Sequence, residues 1–202
     1  DIEVDVYRGH YCVACEAYYV EEELVDGNCP IHKTKAAYVE EENYFFRLSR
    51  FEQRLLDWYD KHPDAISPNF RRNEVIGFIK GGLNDFSVSR KTLKWGIPLP
   101  WDDQHVTYVW FDALSNYITA HGYGTNDQQF AERWPVDWHF IGKDIIRFHC
   151  VYWPAMLMSA GIEPPKGWAV GGFLMVGGEK MSKTTGNVVS PLELIDEFGL
   201  LM

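Results

Sequence analysis

Residues 105–122, HVTYVWFDALSNYITAHG, and residues 138–161, WHFIGKDIIRFHCVYWPAMLMSAG, carry the same punctuation twice. Each starts with a short apolar run suited to a buried strand, followed by an aspartate, Asp112 or Asp144, of the kind that caps helices. Apolar residues at helical spacing come next, and a glycine, Gly122 or Gly161, ends the pattern. Strand, cap, helix and glycine in repetition predict parallel α/β units, with Pro154 kinking the second helix. In such sheets ligands bind beyond the carboxyl ends of the strands, which is where Trp110, Asp112, Gly142 and Asp144 fall.

The helical faces narrow this further. Ile145, His149 and Trp153 are spaced i, i+4, i+8, while Ala113 and Tyr117 share a face of the preceding helix, with Trp110 just before it. Two aromatic walls and a histidine suit a small apolar ligand. The same spacing equally suits ordinary core packing, and periodicity alone does not separate the two.

Downstream, residues 176–187 read VGGEKMSKTTGN. The stretch follows a strand expected around WAVGGFLM and precedes a helix announced by Ser190, Pro191 and Glu193 at N-cap, N1 and N3. Its glycines let backbone approach a ligand, and Lys180 and Lys183 offer ammonium groups to phosphate oxygens. A lysine-rich surface turn has the same composition.

Upstream, CVACEAYYVEEELVDGNCPIH places Cys12, Cys15, Cys29 and His32 as two tight pairs across one short hairpin. Three thiols and an imidazole at this spacing suit one tetrahedral zinc, and four protein ligands leave no open position, so the site is expected to be structural. A disulfide is the competing reading; an acidic chain without an export signal argues against it. Metal binding of this kind is worth on the order of 10 kcal/mol to a knuckle too small for its own core.

The rest of the chain supplies context. Residues 44–62 show helical spacing up to Pro63, residues 73–83 suggest a second short helix, and WGIPLPW (95–101) is excluded from helix interior and central strand, marking entry into a second domain. The 202 residues are 46% apolar and 15% aromatic, enough for a sizeable core, and carry a formal net charge of −10. That charge disfavours stand-alone nucleic-acid binding, so an RNA partner would need basic surface from elsewhere. No apolar run approaches the ~20 residues of a membrane span and no leader pattern opens the chain, so the expectation is a soluble, cytoplasmic protein with no membrane partner. DIEVDVYRGHYC alternates as a strand without an initiator Met, and FGLLM stops just after a helical pattern; both ends are expected to be cut.

KMSKT in the glycine-rich stretch resembles the KMSKS signature of class I aminoacyl-tRNA synthetases. With YVWFDALSNY, IGKDIIRFHCVYWPAML and GNVVSP, essentially the whole chain is similar to the methionyl-tRNA synthetases. The resemblance implies an α/β fold, the second half of a Rossmann-like parallel sheet with a zinc-knuckle connective insertion. Residues 1–94 would be that insertion, with the knuckle over about 1–40 and a helical part after it; residues 95–202 would be the C-terminal half of the catalytic domain. It further implies a methionine–tRNA ligase that activates methionine with ATP and magnesium and transfers it to tRNA(Met). Trp110, Ala113, Tyr117, Ile145, His149 and Trp153 match methionine-pocket positions; since one methylene discriminates by only about 1–3 kcal/mol, contacts to the sulfur would add to shape, with Tyr117 and His149 as the candidate donors. Gly142 and Asp144 match positions by the ribose and Leu174 one by the adenine. Lys180, Ser182, Lys183 and Thr184 match the triphosphate loop, where Thr184 replaces a serine and keeps a hydroxyl, and Lys180 and Lys183 carry the catalytic role. The family's HIGH signature and its helical anticodon-binding domain are not in this sequence, so the chain alone is expected to be inactive or nearly so. Two rivals remain open: a class I synthetase for another amino acid, and a zinc-stabilised binding module without chemistry, which would not bind ATP.

Overall fold

A computed structural model describes residues 1–14, 17–182 and 186–199. As the alternation predicts, the chain opens with a long strand, β1 (Ile2–Cys12). It is edged by β2 (Ala17–Tyr19) and paired antiparallel with β3 (Ala37–Phe46), from Ile2 opposite Phe46 to Tyr11 opposite Ala37. The helical spacing read from residue 44 starts too early: Tyr44, Phe45 and Phe46 finish β3, because these aromatic strand formers find ladder partners on both sides. The helical stripe takes over in a 3-10 turn, Leu48–Phe51, and continues as α1 (Glu52–Lys61). Arg47, at the corner, donates to Glu3, Asp5 and Asp85 at 2.9–3.2 Å, tying β1 to the segment ahead of β5 (Phe86–Ser87).

Between α1 and β5 lie β4 (Ile66–Ser67) and α2 (Asn69–Lys80). The second helix begins four residues earlier than its periodicity suggests, since Pro68 in extended conformation sets its start. Three strands follow in a separate antiparallel sheet, β6 (Ser89–Arg90), β7 (Pro98–Leu99) and β8 (Asp102–Thr107), in the order β6-β8-β7. Pro98 sits on an edge strand there, as its missing N–H requires.

Only one of the two anticipated parallel units forms as expected. β8 pairs antiparallel with both neighbours and ends at Thr107, so the VWF of the predicted strand belongs instead to α3 (Val109–Thr119). Tyr108 takes the N-cap position, and Asp112 lies in the first turn, where its charge faces the helix's positive end without capping it. Gly122 does close the segment, at φ 101°. After α4 (Asp127–Arg133), β9 (His139–Gly142) and β10 (Trp168–Gly171) run parallel, and β10 pairs parallel with β4 on its other side. The first part of their connection is helical: a 3-10 turn Lys143–Ile145 that contains Asp144, a π-helical stretch Phe148–Tyr152, and α5 (Trp153–Ser159), with a non-helical return over 160–167.

Pro154 accounts for that irregularity. It has no N–H to give the carbonyl of Cys150, and the buried hydroxyl of Tyr59 on α1 donates to that oxygen at 2.6 Å instead. One apolar core runs through α1, α2, α3 and the β9–β10 connection, with Leu55, Tyr59, Ile79, Val151, Trp153 and Trp168 essentially inaccessible. Among the described residues, no helix is long and apolar enough to cross a membrane.

Candidate functional site

The helical faces read from the sequence meet across α3 and the β9–β10 connection. His149 Nδ1 lies 2.9 Å from the carbonyl oxygen of Ile145, one turn back. A carbonyl only accepts, so Nδ1 carries the hydrogen, and in the neutral ring Nε2 is then an acceptor. Nε2 lies 2.9 Å from the Tyr117 hydroxyl, which therefore donates to it. Burial holds His149 below the ordinary histidine value, with the Ile145 carbonyl pulling weakly the other way, which keeps the ring neutral. Both hydrogens of this pair are thus committed. For Tyr117 or His149 to donate to a bound sulfur, one of these two hydrogen bonds would have to open.

Around this pair, Trp110 sits edge-on to His149 at 6.2 Å and Trp153 lies 6.1 Å from Tyr117, ring centre to ring centre. Ala113 lies on α3 between Trp110 and Tyr117. Sequence reasoning missed two neighbours. Phe148 stacks on Trp110 at 4.0 Å and 9°, and His139 packs against Tyr117 at 4.2 Å. His139 faces inward from β9, where burial, then His149 and His121, lower its pKa to about 4. The buried nitrogens Trp153 Nε1 and His139 Nε2 have no hydrogen-bond partner among the described residues. Phe148 follows from the helical spacing at i+3 from Ile145, whereas nothing in the sequence singles out His139.

The turn Lys143–Ile145 links this cluster to the glycine-rich stretch. Gly142 precedes it, and a Cβ there would lie 2.8 Å from Asp144 Oδ1, so glycine leaves room for that carboxylate over the backbone. The stretch itself is more ordered than a bare strand-to-helix loop: β11 (Met175–Val176) and β12 (Glu179–Lys180) form a hairpin on Gly177 and Gly178, both with positive φ. A two-residue Gly-Gly connection is a direct hairpin signal. Leu174 accepts from the Met181 N–H through its carbonyl at 2.8 Å while its side chain stays exposed. Lys180 Nζ is 3.7 Å from the centre of the Phe173 ring and 4.0 Å from Asp144 Oδ2, and Lys143 Nζ lies 4.1 Å from the same ring. The Ser182 N–H donates to Asn187 Oδ1 at 2.9 Å. Lys183 and Thr184 lie outside the described residues. Ser190 is the N-cap of α6 (Pro191–Phe198), with Pro191 first and Glu193 third, although the serine side chain makes no capping bond.

At the far end of the chain, Cys12, Cys29 and His32 bring Sγ, Sγ and a ring nitrogen within 4.8 Å of one another. Two sulfurs and an imidazole at that separation fit a borderline-soft divalent cation. Burial raises the Cys29 thiol's pKa, but the His32 and Ile31 N–H groups, the Tyr19 hydroxyl and the His32 ring outweigh it and lower the value to about 5. His32 is raised, first by its contact with Cys29. Cys15, the fourth expected ligand, lies outside the described residues.

Comparison with known proteins follows the same lines. Residues 2–200 match the family model described as tRNA synthetases class I (M). The chain is 53% identical, over 99% of its length, to a methionine–tRNA ligase of Caldanaerobacter subterraneus subsp. tengcongensis, and 49% identical, over 98%, to one of Thermotoga maritima; it spans 32% of each. The methionyl-tRNA synthetase of Mycobacterium tuberculosis, solved in complex with methionyl-adenylate, superposes with a TM-score of 0.87 at 50% identity, covering 98% of this chain and 40% of that one. The chain thus spans about a third of the length of the curated relatives it matches.

Proposed function

The chain belongs to the class I (M) tRNA synthetases, and on that premise we propose that it carries the methionine pocket and part of the ATP site of a cytoplasmic methionine–tRNA ligase. The whole protein would join methionine to ATP, with magnesium, and pass the product to tRNA(Met). Residues 95–202 would be the second half of a Rossmann-like catalytic domain, with residues 1–94 its connective insertion.

One observation carries this reading: the continuity of the turn Lys143–Ile145. Asp144, within reach of Lys180, is followed by Ile145, whose carbonyl starts the hydrogen-bonded chain to His149 and Tyr117. Such a turn sets a nucleotide-binding half against an aromatic half. Trp110, Trp153 and Tyr117 would wall the side chain of methionine, with Ala113 and Ile145 filling its sides; a thioether against aromatic rings gains roughly 1 kcal/mol beyond shape. While the hydrogen bonds from Ile145 through His149 to Tyr117 stay closed, Tyr117 faces the ligand with lone pairs, and selection would rest on shape and on excluding groups that carry their own negative charge.

On the other side, Gly142 and Asp144 would meet the ribose, with Asp144 accepting from its hydroxyls, and Leu174 the adenine. In the reaction the methionine carboxylate oxygen attacks the α-phosphorus and the bond to pyrophosphate breaks. Lys180 and Lys183, with Ser182 and Thr184, would follow the charge that collects on that leaving group. One ammonium-phosphate contact at ~4 Å and an effective dielectric near ~20 is worth about 4 kcal/mol before desolvation and ordering. Cys12, Cys15, Cys29 and His32 would hold one zinc, which fixes the knuckle and takes no part in the chemistry.

The test is Lys183→Ala in the whole protein, followed by rapid mixing to time adenylate formation as ATP is varied. The adenylation rate should fall at least tenfold more than the ATP dissociation constant rises, because contacts made only in the transition state leave ground-state binding alone. An unchanged maximum rate with weaker ATP binding would reject the role given to the loop, and no methionine-dependent adenylate in the unaltered protein would reject the function.

A further inference from the structure

The helix that carries His149 is not uniform, and its irregularity falls on the residues that face Tyr117. Residues 146–159 are helical without a break, but the middle, Phe148–Tyr152, is a π turn in which the Trp153 N–H reaches back five residues to the Phe148 carbonyl. Turns of this kind are rare and occur mostly as single insertions in α-helices, often at functional sites. In an uninterrupted α-helix, positions four apart drift by roughly 40° per step around the axis, so Trp153 would stand roughly 80° away from Ile145. A turn closed five residues back holds more residues, so each advances by a smaller angle and the drift is taken up. His149 Nε2 accordingly lies 2.9 Å from the Tyr117 hydroxyl while Trp153 is 6.1 Å from the same ring, centre to centre. Both side chains meet on one residue because the turn between them is π and not α.

The contact that holds this turn comes from another helix. Pro154 brings no N–H, and the Cys150 carbonyl, at the middle of the π turn, accepts from the Tyr59 hydroxyl at 2.6 Å. Burial pushes the Tyr59 phenol well above its ordinary pKa, so the oxygen keeps its hydrogen and acts as the donor. Tyr59 is itself fixed from two sides: Arg72 on α2 donates to its carbonyl at 3.0 Å, and Trp168 on β10 lies 6.1 Å away, ring centre to ring centre. Cys150 follows His149 directly, so a shift of its carbonyl turns the imidazole as well. We propose that Tyr59 is a positioning residue of the methionine pocket: through the Cys150 carbonyl it keeps the π turn open and so sets His149 and Trp153 against Tyr117. The inference rests on the function proposed above and adds to it a fully buried residue of α1. The shape of the pocket then depends on the docking of α1.

The experiment is exchange of pyrophosphate into ATP by the whole protein, run with methionine and with norleucine, its isostere with a methylene in place of the sulfur. Tyr59→Phe keeps the ring and removes the hydroxyl. It should raise KM for methionine about fivefold, leave KM for ATP unchanged, and lower the ratio of kcat/KM for methionine over norleucine about threefold. Ile79→Val is the reference, since it removes a methyl from the same core without touching the Cys150 carbonyl. It should leave KM for methionine and the ratio unchanged. A smaller folded fraction lowers kcat with both amino acids alike and moves neither quantity. Unchanged KM and ratio in Tyr59→Phe overturn the proposal. So does an equal change in Ile79→Val, which would mean that any loosening of the core reaches the pocket. Absence of methionine-dependent exchange in the unaltered protein removes the function and this inference together, whereas normal exchange with an unaffected Tyr59→Phe removes the inference alone.

Discussion

His139 faces Tyr117, His149 and His121 from β9, with its Nε2 unpartnered among the described residues. Its pKa falls from the ordinary 6.5 to about 4, chiefly because burial penalises the charged ring. The unfolded chain takes up a proton near 6.5 and the folded chain resists until about 4, so stability is intact above 6.5 and is lost as pH falls through that window. The full loss is on the order of 3 kcal/mol. His139→Phe should remove this part of the acid sensitivity, measured as the difference in denaturation midpoint between pH 7 and pH 4.5; an unaltered difference would show that the ring is not the group responsible. Tyr117 and His149 are legible as residues on helical faces, but the direction of their hydrogen bond is not, because it is set by the carbonyl of Ile145.

Among the elements, the segment around Pro154 makes the sharpest prediction. Tyr59→Phe leaves a buried carbonyl without its donor and should cost about 1–3 kcal/mol. Pro154→Ala returns an N–H to the helix, so the double substitution should cost less than the sum of the two singles, with a coupling of ~1 kcal/mol readable in a denaturation cycle. Additive losses would mean that the helix irregularity has another origin. The kink was foreseeable from the proline; the hydroxyl that compensates it lies on a distant helix and was not. β3 was hidden for a related reason. Its Glu40, Glu41 and Glu42 are poor strand formers, and the buried Glu41 carboxylate accepts from Asn43 and from the Thr92 N–H. Only residues 105–107 of the run read as a strand lie in β8, and its antiparallel direction depends on two partner strands of two residues each, too short to announce themselves.

For the whole molecule, the cysteine-rich end and the main core are stabilised by different means. Leu55, Ile79 and Val151 are sealed by apolar packing, whereas residues 20–36 contribute few buried side chains beyond Cys29 and Ala36. Stripping metal with a chelator at neutral pH should release amide protection around Cys12, Cys29 and His32 while α1 and α2 stay protected, followed by hydrogen exchange. Equal protection with and without chelator would exclude a metal staple there.

The parallel sheet has a further consequence, in time rather than in space. Ile66 on β4 finds its ladder partner only in Trp168 on β10, and the hydroxyl of Tyr59 finds its acceptor only in Cys150. A chain made from its amino end therefore emerges with α1 and α2 already formed and their apolar faces open to water. The residues that seal them leave the ribosome only after a long further stretch of chain has been made. Pairings so far apart in sequence form slowly, and the exposed faces of Leu55 and Ile79 are sticky while they wait. Nascent chains halted before residue 168 should consequently depend on a chaperone that the finished protein no longer needs.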